Sequence, residues 1–214
     1  MNKFKNIDFK IPNIEEARNI VEFYNEMGGE TTFLSFVENE YPFDEKAQAK
    51  SIESMQKAPH CTMLVAYSHT EEDTQTNTRT DTQTDAQTYI QTNAQTDTQT
   101  DIQIGIQKKQ NKEIIGIGTI HSGDKIKSRH CGILGIVIKK SHQGQGIGKQ
   151  MMEQLIAFCR SNGITKKIQL ETRCDNETAV NLYKNLDFEI EGKLKNAALV
   201  DGVYHDVYVM GMLL

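Results

Sequence analysis

An apolar run, Gly132 to Ile138 (GILGIVI), is followed by Gln143-Gly144-Gln145-Gly146-Ile147-Gly148 and then by a long stretch in which Ile147, Met151, Met152, Leu155, Ile156 and Cys159 recur on one helical face. A buried strand needs a sheet around it and the amphipathic helix needs that sheet to pack on, so the chain is constrained to a mixed α/β arrangement. Between the two elements, glycines let the backbone turn sharply and approach a ligand closely. The first N–H groups of the helix have no intrahelical acceptor and lie at the positive end of its dipole. Such a loop reads as an anion site shaped for a pyrophosphate, against the alternative of a glycine turn with no ligand.

The identity of the anion is narrowed by what closes the loop. A P-loop requires Gly-Lys-Ser/Thr, whereas Gly148 is followed by Lys149 and Gln150, which disfavours ATP or GTP. A dinucleotide fingerprint requires an acidic residue about 20 positions later. Glu171 stands near that distance, so spacing alone leaves this open. The helical start and the strands that precede the loop argue against it.

Elsewhere the periodicities predict helices over about 13–27, opened by an Asn13/Glu16 capping box, over 44–57 and over 176–186. Strands are predicted at Cys61–Tyr67, Glu113–Ile120, Gly132–Ile138, Lys167–Arg173, Phe188–Val200 and Val203–Leu213, the last two joined at Asp201-Gly202. From 69 to 112 the composition changes to Asp-Thr-Gln-Thr units and degenerate copies, with too few apolar residues to offset the entropy of ordering. This stretch is expected to be a disordered insertion between two neighbouring strands of one domain spanning 1–214, an extended threonine-rich hairpin being the alternative. It also accounts for the low hydrophobic fraction of 37%.

A net charge of −5 supplies no basic footprint for nucleic acid. No apolar run approaches the length of a membrane span and the amino-terminal residues lack a signal-peptide core, so a cytoplasmic protein is expected. Cys61, Cys131, Cys159 and Cys174 lie too far apart for a Cys-x-x-Cys pair and are expected as reduced, mostly buried thiols. The histidines form no HExxH or Cys/His pattern, so no metal is assigned.

Gln143-x-x-Gly146-x-Gly148 resembles the Q/R-x-x-G-x-G/A signature of the GCN5-related N-acetyltransferase (GNAT) family. The stretch LETRCDNETAVNLYKNLDF (Leu170–Phe188) is similar to a second segment of that family, departing at Asp187 where glycine is usual, and the tail Glu191–Leu213 resembles its small-molecule and RimJ/RimL-like branches. The resemblance implies a mostly antiparallel, centrally splayed sheet flanked by helices. It implies acetyl-CoA as acyl donor, with the pyrophosphate on the backbone of Gln143, Gly144, Gln145, Gly146, Ile147, Gly148 and Lys149. The pantetheine arm and thioester oxygen would lie on backbone groups of Ile136, Val137 and Ile138, with Asn176 bonding the arm. Tyr183 is implied as proton donor to the leaving sulfur and Glu171 as general base. The acceptor would be a small-molecule amine or a protein amino terminus, and the protein a monomer or homodimer. The alternative function is a noncatalytic acyl-CoA-binding or interaction module, with the Thr/Gln tract as its arm.

Overall fold

The computed structural model describes residues 6–70 and 111–214. In chain order these form β1 (Ile7–Lys10), α1 (Ala17–Glu30), α2 (Glu45–Lys57), β2 (Thr62–Thr70), β3 (Asn111–His121), β4 (Cys131–Ile138), α3 (Ile147–Ser161), β5 (Lys167–Arg173), α4 (Glu177–Lys184), β6 (Glu189–Val200) and β7 (Val203–Leu213). Among the described residues the sheet runs β1-β2-β3-β4-β5-β7-β6. The β4–β5 pair is parallel, while β1–β2, β3–β4, β5–β7 and β6–β7 are antiparallel. Strands β2 and β3 are neighbours, so the low-complexity tract joins adjacent strands as expected; its residues 71–110 lie outside the described ones.

Helices cover both faces. Ala17, Ile20, Phe23 and Met27 of α1 and Ile52 of α2 pack with Val65, Ile117 and Val137. On the other face Met151, Met152, Leu155, Ile156 and Cys159 of α3 pack with Ile120, Leu134, Ile168, Leu170 and Met210. Full burial of such side chains stabilises the fold by about 1.5–3 kcal/mol each. Close seating of α3 depends on Gly118, where a Cβ would come within 2.8 Å of Leu155 Cδ1 and Met151 Sδ.

Local chemistry sets the element ends. Glu16 accepts a hydrogen bond from Asn13 N at 2.8 Å before α1, and Asp44 accepts from Ala47 N at 2.9 Å at the start of α2. Asp201 and Gly202 both take positive φ, 49° and 78°, as a tight β-hairpin requires. Asp187 has φ 66°, which explains why glycine suits that position and why a short polar side chain is tolerated there. All four cysteines are free, Cys61 and Cys159 buried and Cys131 and Cys174 partly so.

Candidate functional site

The parallel ladder between β4 and β5 is short. Its register runs from Cys131↔Lys167 to Ile133↔Gln169 and stops there, although both strands continue. The open wedge that results is the splay expected from the sequence. Alternation in the neighbouring antiparallel ladder decides what faces it. Lys139 N donates to Ile115 O at 2.9 Å, and the register carries that hydrogen-bonded pairing to Ile117↔Val137. The main-chain groups of Val137 are thus turned into β3. Those of Ile136 and Ile138 point the other way, into the wedge.

Beyond the end of β4 the chain makes a 3-10 turn at Lys140–His142 and enters the glycine loop. Gly144 and Gly146 have φ 72° and 90°, a left-handed conformation that other L-residues avoid. The loop is braced from within. Gln143 Nε2 donates to Ile138 O at 2.8 Å, and Gln145 Nε2 donates to Ser141 O at 3.2 Å. Gly146 is the N-cap of α3 and supplies no side-chain acceptor, and Gln150 N is the amide that bonds its carbonyl. The amides of Ile147, Gly148 and Lys149 therefore open the helix without capping partners, and Lys149 is exposed beside them.

The approach to the loop is pinned from outside it, by groups that sequence reasoning did not single out. Lys139 Nζ lies between Glu26 of α1 and Glu113 of β3, at 2.5 and 2.8 Å, and both carboxylates hold its ammonium well above the usual lysine range. Glu30 accepts from Lys140 N at 2.9 Å.

Helix α4 packs against this end of the wedge. Leu182 Cδ2 and Ile138 Cγ1 both lie near Gly148, 3.6 and 3.7 Å from where its Cβ would stand. On the next residue of α4, Tyr183 is buried beside Phe188, with ring centroids 6.0 Å apart. Burial pushes its phenol up to about 12, so it keeps its proton throughout the neutral range. Asn176 caps α4, its Oδ1 accepting from Ala179 N at 3.3 Å.

Glu171 lies on the opposite face of the sheet. Ile168 and Leu170 point to α3, so Gln169, Glu171 and Arg173 point to the α1–α2 side. There, among the described residues, the registers lay out a floor free of helices, covered at Gly211 by the Glu191 carboxylate. One row holds His121, Ile133, Gln169 and Gly211, and the next holds Thr119, Gly135, Glu171 and Val209. Glu171 is exposed on that floor, in the first row past the point where the ladder opens. A third row, with Val137, Arg173 and Val207, lies under the α1–α2 connection.

Arg173, also unforeseen in the sequence, ties that connection down. Its Nε donates to Asp175 Oδ1 at 2.9 Å and its Nη1 to Thr32 O at 2.9 Å, and the guanidinium stacks on Phe33 at 4.7 Å. The connection is shaped further by the Tyr24, Phe36 and Tyr41 rings and by Glu40, which accepts from Val37 N at 2.9 Å.

The site thus brings the loop, the wedge edge, Asn176 and Tyr183 to one side of the sheet and Glu171 to the other, with the wedge between them.

Comparison with known proteins gives the same fold. The sequence profile of the Acetyltransferase (GNAT) family matches residues 64–188, more than half of the chain. The L-amino acid N-acetyltransferase AaaT of Escherichia coli is 31% identical over 98 residues, which is 46% of this chain and 60% of that relative. An acetyltransferase of the GNAT family from Streptococcus pneumoniae superposes with a TM-score of 0.75 at 23% identity, covering 98% of this chain and all of that one. The putative acetyltransferase yncA from Salmonella typhimurium, whose structure holds acetyl-CoA, superposes with a TM-score of 0.67 at 15% identity, covering 98% and 95%.

Proposed function

Because this chain belongs to the GNAT family of acetyltransferases, we propose that it transfers the acetyl group of acetyl-CoA to a primary amine by direct attack within a ternary complex. The observation that carries this reading is the wedge. A strand edge with wedge-facing main-chain groups at Ile136 and an open Ile138 N–H, the Ile138 carbonyl being held by Gln143 Nε2, leads directly to a bare helix N-terminus. Acetyl-CoA supplies an activated thioester, and its polar arm and pyrophosphate match those two features in order.

In this proposal the amides of Gly144 to Lys149 hold the pyrophosphate, with the dipole of α3 favouring its charge. Gln143 N donates to Lys140 O at 3.2 Å, and Gln143 serves instead by bracing the loop through its side chain. Ile136 offers its wedge-facing N–H and carbonyl and Ile138 its N–H, whereas Val137 contributes through its buried side chain. Asn176 uses its amide nitrogen toward the pantetheine arm while its oxygen caps α4. Glu171 accepts a proton from the incoming ammonium, directly or through water, which leaves a neutral amine free to attack the thioester carbonyl. Tyr183 holds the proton that the departing sulfur takes up. The acetyl C–S bond breaks, an amide C–N bond forms, the second proton of the amine nitrogen passes through solvent to restore the Tyr183 phenol, and free CoA leaves as the thiol.

Thermal-shift titration tests the donor. Ligand at about 100 times its Kd stabilises the native state by about 2.7 kcal/mol, which for a chain of this size corresponds to a Tm rise of about 5–10 °C. A flat response to saturating acetyl-CoA refutes the proposal. Release of free CoA in the presence of a primary amine tests the transfer.

A further inference from the structure

The floor around Glu171 carries a charge pattern that bears on the acceptor. Arg173 is two residues along the same face of β5, which makes it the cation nearest to Glu171 among the described residues. It is already committed. Its Nε–Nη2 edge engages both oxygens of Asp175, Nη1 donates to Thr32 O, and its side chain is only 9% exposed. His205 turns Nδ1 to the same Asp175 carboxylate at 3.2 Å.

Among the described residues, the other basic groups on this side of the sheet are remote or paired. Lys167, four residues back along β5, is neutralised by Glu191 at 2.6 Å, whose carboxylate lies over Gly211, one row from Glu171. His121 stands two strands across and one row down, roughly 12 Å off by ordinary sheet dimensions. Lys139 is held by Glu26 and Glu113. The α1–α2 connection above the floor, residues 31–44, contains Glu38, Glu40 and Asp44 and no Lys, Arg or His.

An α-amino acid presents a carboxylate one carbon from its amine. Placed with its amine at Glu171, that carboxylate would meet a second negative group and no free cation among the described residues, an arrangement whose electrostatic cost rises as water is excluded. We infer that the acceptor is a primary amine with no carboxylate on the adjacent carbon, an inference that rests on the acetyl-transfer proposal above. Asp175 enforces the preference, because it consumes the charge with which Arg173 would recognise a carboxylate. The half-exposed Phe33 and Ile133 border the floor and favour an apolar group beside the amine.

The test compares leucine, leucinamide and 3-methylbutylamine as acceptors for the full chain, with acetyl-CoA binding followed separately by thermal shift. Leucinamide and 3-methylbutylamine are expected to exceed leucine at least tenfold in kcat/KM. Asp175→Asn, which leaves Arg173 charged but uncompensated, is expected to narrow that gap by raising kcat/KM for leucine, and Arg173→Met is expected not to. The inference is overturned if leucine equals or surpasses leucinamide in the wild type, or if Asp175→Asn, folded by its melting curve, leaves the ratio unchanged. It is also overturned if acetyl-CoA stabilises the protein and neither carboxylate-free amine is acetylated, a result that leaves the donor assignment standing. Absence of stabilisation by acetyl-CoA instead removes the acetyl-transfer proposal itself.

Discussion

Replacing Gly146 by alanine isolates the contribution of loop conformation to donor binding. The residue sits at φ 90°, ψ 2°, where a Cβ costs about 1–2 kcal/mol. If the loop keeps its shape, that strain appears as lost stability. If it relaxes, the strain must be restored when the pyrophosphate binds, and at 1.4 kcal/mol per decade the Kd for acetyl-CoA rises by about 5- to 30-fold. Gly148→Ala is the matched control. There the added methyl meets Leu182 Cδ2 and Ile138 Cγ1 at ordinary contact distances of 3.6 and 3.7 Å, and within the first turn alanine is favoured over glycine by about 0.5–1 kcal/mol. Calorimetric titration with acetyl-CoA, paired with denaturant unfolding of the free protein, reads both quantities. The reasoning is refuted if Gly146→Ala changes neither stability nor affinity, or if Gly148→Ala is the more damaging of the two.

Tyr183→Phe keeps the packing on Phe188, so stability should move by no more than about 1 kcal/mol, while kcat falls by about a hundredfold or more with the Kd for acetyl-CoA unchanged; an unaltered kcat reassigns the proton to water or another group. The phenol titrates near 12 in the folded chain against about 10 when unfolded. The unfolded state therefore loses its proton first as pH rises, and stability should fall through that window. Denaturant midpoints at about pH 9 and 11 should show a drop in the wild type that is smaller in Tyr183→Phe. Excision of Glu71–Gln110, the tract between neighbouring strands, should leave melting temperature and acetylation close to those of the whole chain; loss of either assigns the tract a role in the domain itself.

The features that were legible in the sequence are those written within a few residues of each other. Apolar periodicity places α3 and its partners, and the glycines at 144 and 146 foretell the left-handed loop because few other residues tolerate it. Strand β1 went unseen, since Ile-Asp-Phe-Lys is too short for alternation to register and is defined by its pairing with β2 from Ile7↔Ser68 to Lys10↔Val65. The Arg173–Thr32 bond spans 141 residues and the Lys140–Glu30 bond spans 110, and nothing in either local sequence announces its partner. Val137 illustrates a finer limit. Sequence motif marks the end of β4 as a unit, whereas only strand register tells which of its residues turn into β3 and which into the wedge.

A β-sheet ordinarily leaves its unsatisfied edge at the perimeter, where another polypeptide can add to it. Here the unfinished edge is interior, between two strands of the same sheet, and it opens from ordinary strand spacing at Ile133 and Gln169. A narrow ligand with its own amides could line such a gap where a full peptide strand, with side chains on both faces, would have to displace the helices on the α3–α4 side. On the proposed reading the donor serves as a temporary strand. Folding stops one strand short, and each catalytic cycle completes the sheet and undoes it again.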